Sequence, residues 1–185
     1  FWIMKDETLP PVLKLTDTVL AATMGATLAT KRSNAERLLP DIDPDALVIE
    51  PYANPFRTYP LLDDYNKFKE LLDKNGVECY IINTGSFMGK KISKETTLKV
   101  LEDVVENKAE FIEWNRMFGM KIQLISGFEP DFNNDIYLES LESRIQDRIN
   151  FIAKNEKELE GRDALPKEAL EALTKLKESI FNNQL

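Results

Sequence analysis

With 185 residues, 43% of them hydrophobic and 30% charged, the chain is long enough for one domain with a real core, or one domain with a helical appendage. A formal net charge of −8 argues against nucleic acid or an anionic membrane as the main partner. No apolar run is long enough to span a bilayer.

Phe1 to Met4 reads as a strand of a larger sheet, ended by Lys5-Asp6-Glu7 and the pair Pro10-Pro11, which enforces extended backbone. Thr16 or Asp17 caps a helix predicted to run to about Thr30 through Val19, Leu20, Met24 and Leu28. Its small residues (Ala21, Ala22, Gly25, Ala26, Ala29) let a neighbour pack close. Arg32 follows, either bonding the last helical carbonyls or serving a site. The carboxylates of Asp41-Ile42-Asp43-Pro44-Asp45 have neither the glycine pivot nor the closing glutamate of a calcium loop, and read as an acidic turn. A strand is predicted over Ala46 to Ile49. An irregular loop with Arg57, a weaker anion candidate, follows from Pro51 to Pro60. Leu61 to Asn75 reads as an amphipathic helix with Tyr65, Phe68, Leu71 and Leu72 inward and Gly76 as its left-handed cap.

The most informative stretch runs from Val77 to Val105. Val77 to Ile82 is a short apolar run, the pattern of a strand buried on both faces. Thr84-Gly85-Ser86-Phe87-Met88-Gly89 makes a turn with two glycines, Lys90 and Lys91 follow, and a helix carries Leu98, Leu101, Val104 and Val105 at helical spacing. Strand, glycine turn, lysines and helix start are the parts of an anion site, because free N–H groups at a helix start favour negative charge. The alternative is a plain strand-to-helix connection with solvated lysines. Gly85 to Lys90 is one residue short of a Walker loop, and Lys91 stands where its hydroxyl belongs. Cys79 is the single cysteine, placed as an inert core thiol compatible with a reducing cytoplasm.

Beyond Asn107, Phe111, Ile112, Trp114, Met117 and Phe118 form an aromatic-rich patch, and Lys121 to Ile125 alternates as a short strand before a loop from Gly127 to Asp131. Two polar helices follow from Asp135 onwards, one with Leu138, Leu141, Ile145, Ile149 and Ile152, the other with Leu170, Leu173, Leu176 and Ile180. The expected fold is α/β or α+β: a mixed sheet with packed helices over residues 1–134, then a helical hairpin over 135–185.

Three stretches in order are similar to the C-terminal domain of ATP-dependent phosphoenolpyruvate carboxykinase: Leu9-Pro10-Pro11-Val12-Leu13-Lys14-Leu15-Thr16, Leu28-Ala29-Thr30-Lys31-Arg32, and Tyr80-Ile81-Ile82-Asn83-Thr84-Gly85 with Gly89-Lys90-Lys91-Ile92-Ser93. The resemblance covers roughly residues 1 to 125. It implies that Arg32 contacts the transferred phosphoryl group, that Lys91 and Ile92 lie against adenine, and that Thr97 sits beside them. Lys90 would supplement the phosphate field. Ser86, Lys91 and Ser33 depart from the family's tryptophan, arginine and glycine, as in a divergent relative. The family's phosphate loop and metal ligands, a histidine among them, lie upstream of the first stretch, and this chain has no histidine. The resemblance therefore implies the C-terminal portion of a larger protein, with ATP, Mg²⁺ or Mn²⁺, and an upstream N-terminal domain as its partners. The rival expectation is a degenerate nucleotide-binding or structural domain without turnover.

Overall fold

The computed structural model describes residues 1–31, 43, 46–114 and 117–181. In chain order its elements are β1 (Trp2–Met4), β2 (Val12–Leu15), α1 (Thr18–Ala26), β3 (Ala29–Lys31), β4 (Leu47–Ile49), α2 (Leu61–Asn75), β5 (Cys79–Asn83), β6 (Ser86–Phe87), β7 (Lys90–Lys91), α3 (Lys94–Val105), β8 (Ile112–Glu113), β9 (Met120–Ile122), α4 (Asp135–Asn155) and α5 (Lys167–Phe181). The chain is a mixed α/β protein.

A five-stranded sheet in the order β1-β5-β2-β9-β8 forms its centre. β1 runs parallel to β5, with Trp2 opposite Ile81 and Met4 opposite Asn83, and every other pairing in the sheet is antiparallel. All five residues of β5 are buried, which accounts for the unbroken apolar run in the sequence. Strand alternation sends Ile81 into the larger core with Leu13, Met4 and residues of α1, α2, α4 and α5. Tyr80 and Ile82 point the other way, into a smaller cluster with Val12, Val100 and Val104 under α3.

Four elements differ from the sequence expectation, one of them β9, which ends at Ile122 rather than reaching Ile125. α1 stops at Ala26, because Thr27 turns back on Thr23 and residues 29–31 pair as β3 with β4, Ala29 opposite Ile49. Seven of the nine residues in α1 are buried, so no polar face marks where the helix ends. In α3, Val100 and Val104 meet the sheet, whereas Leu98 and Val105 are 65% and 69% exposed. The glycine turn is a hairpin: β6 and β7 pair, Ser86 opposite Lys91, around Met88 and Gly89, both at positive φ (47° and 77°).

The loop that ends at Pro60 leads directly into α2, which is capped by Gly76 in the left-handed conformation, as read from the sequence. In the C-terminal pair, Leu138, Leu141, Ile145 and Ile152 of α4 and Leu173, Leu176 and Ile180 of α5 are buried in the same core as the sheet. Among the described residues, no helix is long and apolar enough to cross a membrane.

Candidate functional site

The head of α3 and the C-terminal end of β5 enclose an open groove of about 700 Å³. Lys91, Ile92 and Thr97, three of the residues singled out above, line it together with Thr84, Ser93 and Leu98. Local structure sets each in place. Ile92 is 3% exposed and forms part of the wall, its N–H bonded to the carbonyl of Gly85 at 3.0 Å. Ser93 caps α3, its hydroxyl accepting the Thr96 N–H at 3.1 Å. Thr97 is held one turn further on, its hydroxyl donating to the Ser93 carbonyl at 3.1 Å.

Lys90 and Lys91 do not share this groove. They are adjacent on a strand, so their side chains leave on opposite faces. Lys91 turns to the groove. The Lys90 ammonium donates to the carbonyl of Gly127 at 2.9 Å and lies 4.5 Å from the centre of the Phe128 ring. It anchors the loop that precedes α4.

The N–H groups at the start of α3 are partly occupied by the helix's own side chains. Besides the Ser93 cap, the backbone N–H of Glu95 and then the Ser93 hydroxyl hold the Glu95 carboxyl below the usual range. A carboxylate already placed on the helix start weakens it as a phosphate cradle. What the groove offers is aliphatic surface from Ile92 and Leu98, hydroxyls from Thr84, Ser93 and Thr97, the cations Lys91 and Lys94, and the Glu95 carboxylate. That mixture suits a flat heterocycle with a hydrogen-bonding edge better than a chain of phosphates.

Asn83 is the residue that builds the groove and that sequence reasoning treated only as part of a motif. It is fully buried. Its side-chain nitrogen lies 2.8, 2.6 and 2.9 Å from the carbonyls of Asp6, Leu9 and Ser86, which share its two N–H donors, while its oxygen accepts the Gly85 N–H at 3.0 Å. One side chain thereby fixes the turn before Pro10 and the start of the hairpin relative to β5. A polar residue ending an apolar strand immediately before Thr84-Gly85 was the available signal.

Arg32 lies outside the described residues, as do Ser33, Asp41 and Asp45. Arg57 is described, and its guanidinium is engaged by the Asp163 carboxylate at 2.6 and 2.8 Å, so it is not a vacant anion site. Cys79 is buried, and burial pushes its thiol up to about 11. Among the described residues, no three histidine, cysteine, aspartate or glutamate side chains stand close enough together to hold a metal ion.

No protein-family model matches the chain, and no curated protein matches it.

Proposed function

We propose that the groove at the head of α3 binds the base end of an adenine nucleotide, and that the chain is the nucleotide-side portion of a protein like ATP-dependent phosphoenolpyruvate carboxykinase. One observation carries this reading: Lys91, Ile92 and Thr97, chosen on motif resemblance, line one groove at the end of the central strand. Ile92 and Leu98 supply apolar contact to the base, Thr97 and Ser93 supply hydrogen-bonding oxygens, and Lys91 adds a cation at the rim. A lysine lacks the planar fork of the family's arginine, so it holds the base by charge rather than by stacking.

In the resembled family the whole enzyme uses ATP and a divalent metal to convert oxaloacetate to phosphoenolpyruvate and carbon dioxide, chemistry that rests on positioning and on neutralising phosphoryl charge. In this chain Arg32 is the residue assigned to that charge. By the same resemblance, an upstream domain would supply the ligands of Mg²⁺ or Mn²⁺ and the phosphate loop.

A second reading, nucleotide binding without turnover, is favoured by two features. Lys90 is tied to Gly127 and Phe128, and Glu95 sits on the helix start, so the phosphate side of the site is poorly provided for.

Calorimetric titration of ATP into the chain, with and without Mg²⁺ or Mn²⁺, tests the site. Saturable binding is expected, weakened roughly tenfold by Lys91→Ala through loss of one charge-assisted contact. Absence of saturable heat from the intact chain would remove the groove as a nucleotide site that is complete without the upstream domain. Turnover of oxaloacetate by a longer protein that includes the upstream region separates the enzyme reading from the binding one.

A further inference from the structure

We propose that Lys90 is a positioning residue for the groove at the head of α3. It locks the β6–β7 hairpin to the loop before α4, and so holds Lys91 at the groove rim without touching the ligand. The ligand half of this inference rests on the proposed nucleotide site; the lock does not. Residues paired across a hairpin send their side chains to the same face. Phe87 is paired with Lys90 and Ser86 with Lys91, so the ribbon has one face toward the C-terminal half and another toward the groove.

The Phe87–Lys90 face is fastened. Phe87 is 5% exposed, and its ring meets that of Tyr137 on α4 edge-on, centres 5.8 Å apart. On the same face the Lys90 ammonium has a seat shaped for it. Gly127 has a φ of 81°, and a Cβ built there would lie 2.1 Å from Lys90 Nζ, so only glycine leaves that space free. The ammonium donates to the Gly127 carbonyl and stands over the Phe128 ring, a cation–π contact. The seat itself is firm: Phe128 is 7% exposed, and its N–H bonds to the Ile125 carbonyl at 2.9 Å.

The other face is held unevenly. The Ser86 hydroxyl donates to Glu7 Oε1 at 3.1 Å and the Met88 N–H to the Glu7 carbonyl at 2.9 Å, which fixes β6 and the tip. In β7 both residues are exposed, and among the described residues none bonds the Lys91 ammonium. The aim of Lys91 is therefore set by the path of β7. Beyond its pairing with β6, that path is pinned at two points, the Ile92 N–H on the Gly85 carbonyl and the Lys90 ammonium on Gly127. Holding the strand that carries a long side chain reduces the freedom lost when that side chain meets a ligand. A role for Lys90 on the phosphates themselves would require its ammonium to leave Gly127 and reach around the ribbon to the opposite face.

Hydrogen exchange of the whole chain, which needs no ligand, tests the lock. Lys90→Met keeps an apolar stem over Phe128 and removes the ammonium. It should speed exchange of the Ile92 N–H by about threefold to fivefold while leaving that of Ile81 in β5 unchanged. Lys90→Arg should restore protection, since a guanidinium both donates and stacks. Titration of ATP tests the link to Lys91. Lys90→Met should weaken binding by a similar factor in the native chain and leave it unchanged in Lys91→Ala, because Lys90 acts only through Lys91. Equal losses in both backgrounds overturn the proposal, since Lys90 would then meet the nucleotide itself. Unaltered Ile92 exchange in Lys90→Met overturns it as well. The two failures are separable: a native chain that binds no ATP overturns the nucleotide site in the intact chain and with it the positioning role, whereas the exchange result alone decides the lock.

Discussion

Arg148 lies on the core side of α4 with 3% of its side chain exposed, and its guanidinium is divided between the Asp6 carboxylate at 3.1 Å and the carbonyl of Thr27. Burial lowers its affinity for the proton, and the Asp6 charge opposes that loss. Asp6 is itself 1% exposed and also accepts the N–H and hydroxyl of Thr8 at 3.1 and 2.7 Å. Removing one partner strands a charge without water. We therefore expect Arg148→Met to lower unfolding free energy in urea by about 3–5 kcal/mol. A loss below about 1 kcal/mol would mean that Asp6 regains water in the variant. The two neighbouring lysines show the same locality of cause. Lys90 and Lys91 differ in role only because a strand turns successive side chains to opposite faces.

At the scale of elements, α1 is defined by what packs against its small residues. Trp2 donates from its indole to the carbonyl of Ala21 at 3.1 Å, and the Tyr52 hydroxyl donates to that of Ala22 at 2.9 Å. Both rings rest on Gly25, where a Cβ would lie 2.5 Å from Tyr52 Cε1 and 2.8 Å from Trp2 Cζ2. Alanine favours a helix by propensity, yet here it would push two rings and the Phe68 ring stacked 4.6 Å from Tyr52. Gly25→Ala should cost about 1–3 kcal/mol, read as a lower thermal midpoint. A midpoint that rises instead would show that the rings yield and that propensity wins.

For the molecule as a whole, the N-terminal half and the C-terminal helices are joined by polar ties as well as by the shared core. Asp163, between α4 and α5, accepts from both terminal nitrogens of the Arg57 guanidinium and from the backbone N–H of Leu61 at 3.1 Å. It thus caps α2, whose own cap position is Pro60 and has no side-chain donor or acceptor to offer. Tyr65 and Lys69 of α2 both reach Glu168 at the start of α5, at 3.0 and 2.7 Å. The Arg57 guanidinium holds the Asp163 carboxyl below its usual range, and Lys69 holds that of Glu168 below its own. Groups with lowered folded-state values stabilise the protein fully above their unfolded values, about 3.9 and 4.3, and lose that contribution as pH falls through the folded values. The chain should therefore lose stability below about pH 4. Asp163→Asn should flatten that fall while costing about 1–3 kcal/mol at neutral pH. An unaltered acid profile in that variant would assign the acid sensitivity to other carboxylates.

Local patterns in the sequence carried a good deal of this. The buried central strand, α2 with its Gly76 cap, the apolar stripes of α4 and α5 and the mixed α/β class all follow from periodicity and capping, interactions that span a few residues. Lys91, Ile92 and Thr97, named from the motif, line one groove, whereas Lys90, named with them, turns to Gly127 and Phe128. The end of α1 was not legible, because a helix buried all round has no polar face to mark its limits and β3 forms only when β4 arrives to pair with it. The inward face of α3 was also undecided, since it carries two apolar stripes and only the sheet selects which is buried. Tertiary structure alone brought Arg148 to Asp6 and Asp163 to the head of α2, pairs more than 100 residues apart. Charge pairs across such distances leave no periodic trace, because their partners are chosen by how the layers stack rather than by neighbours in the chain.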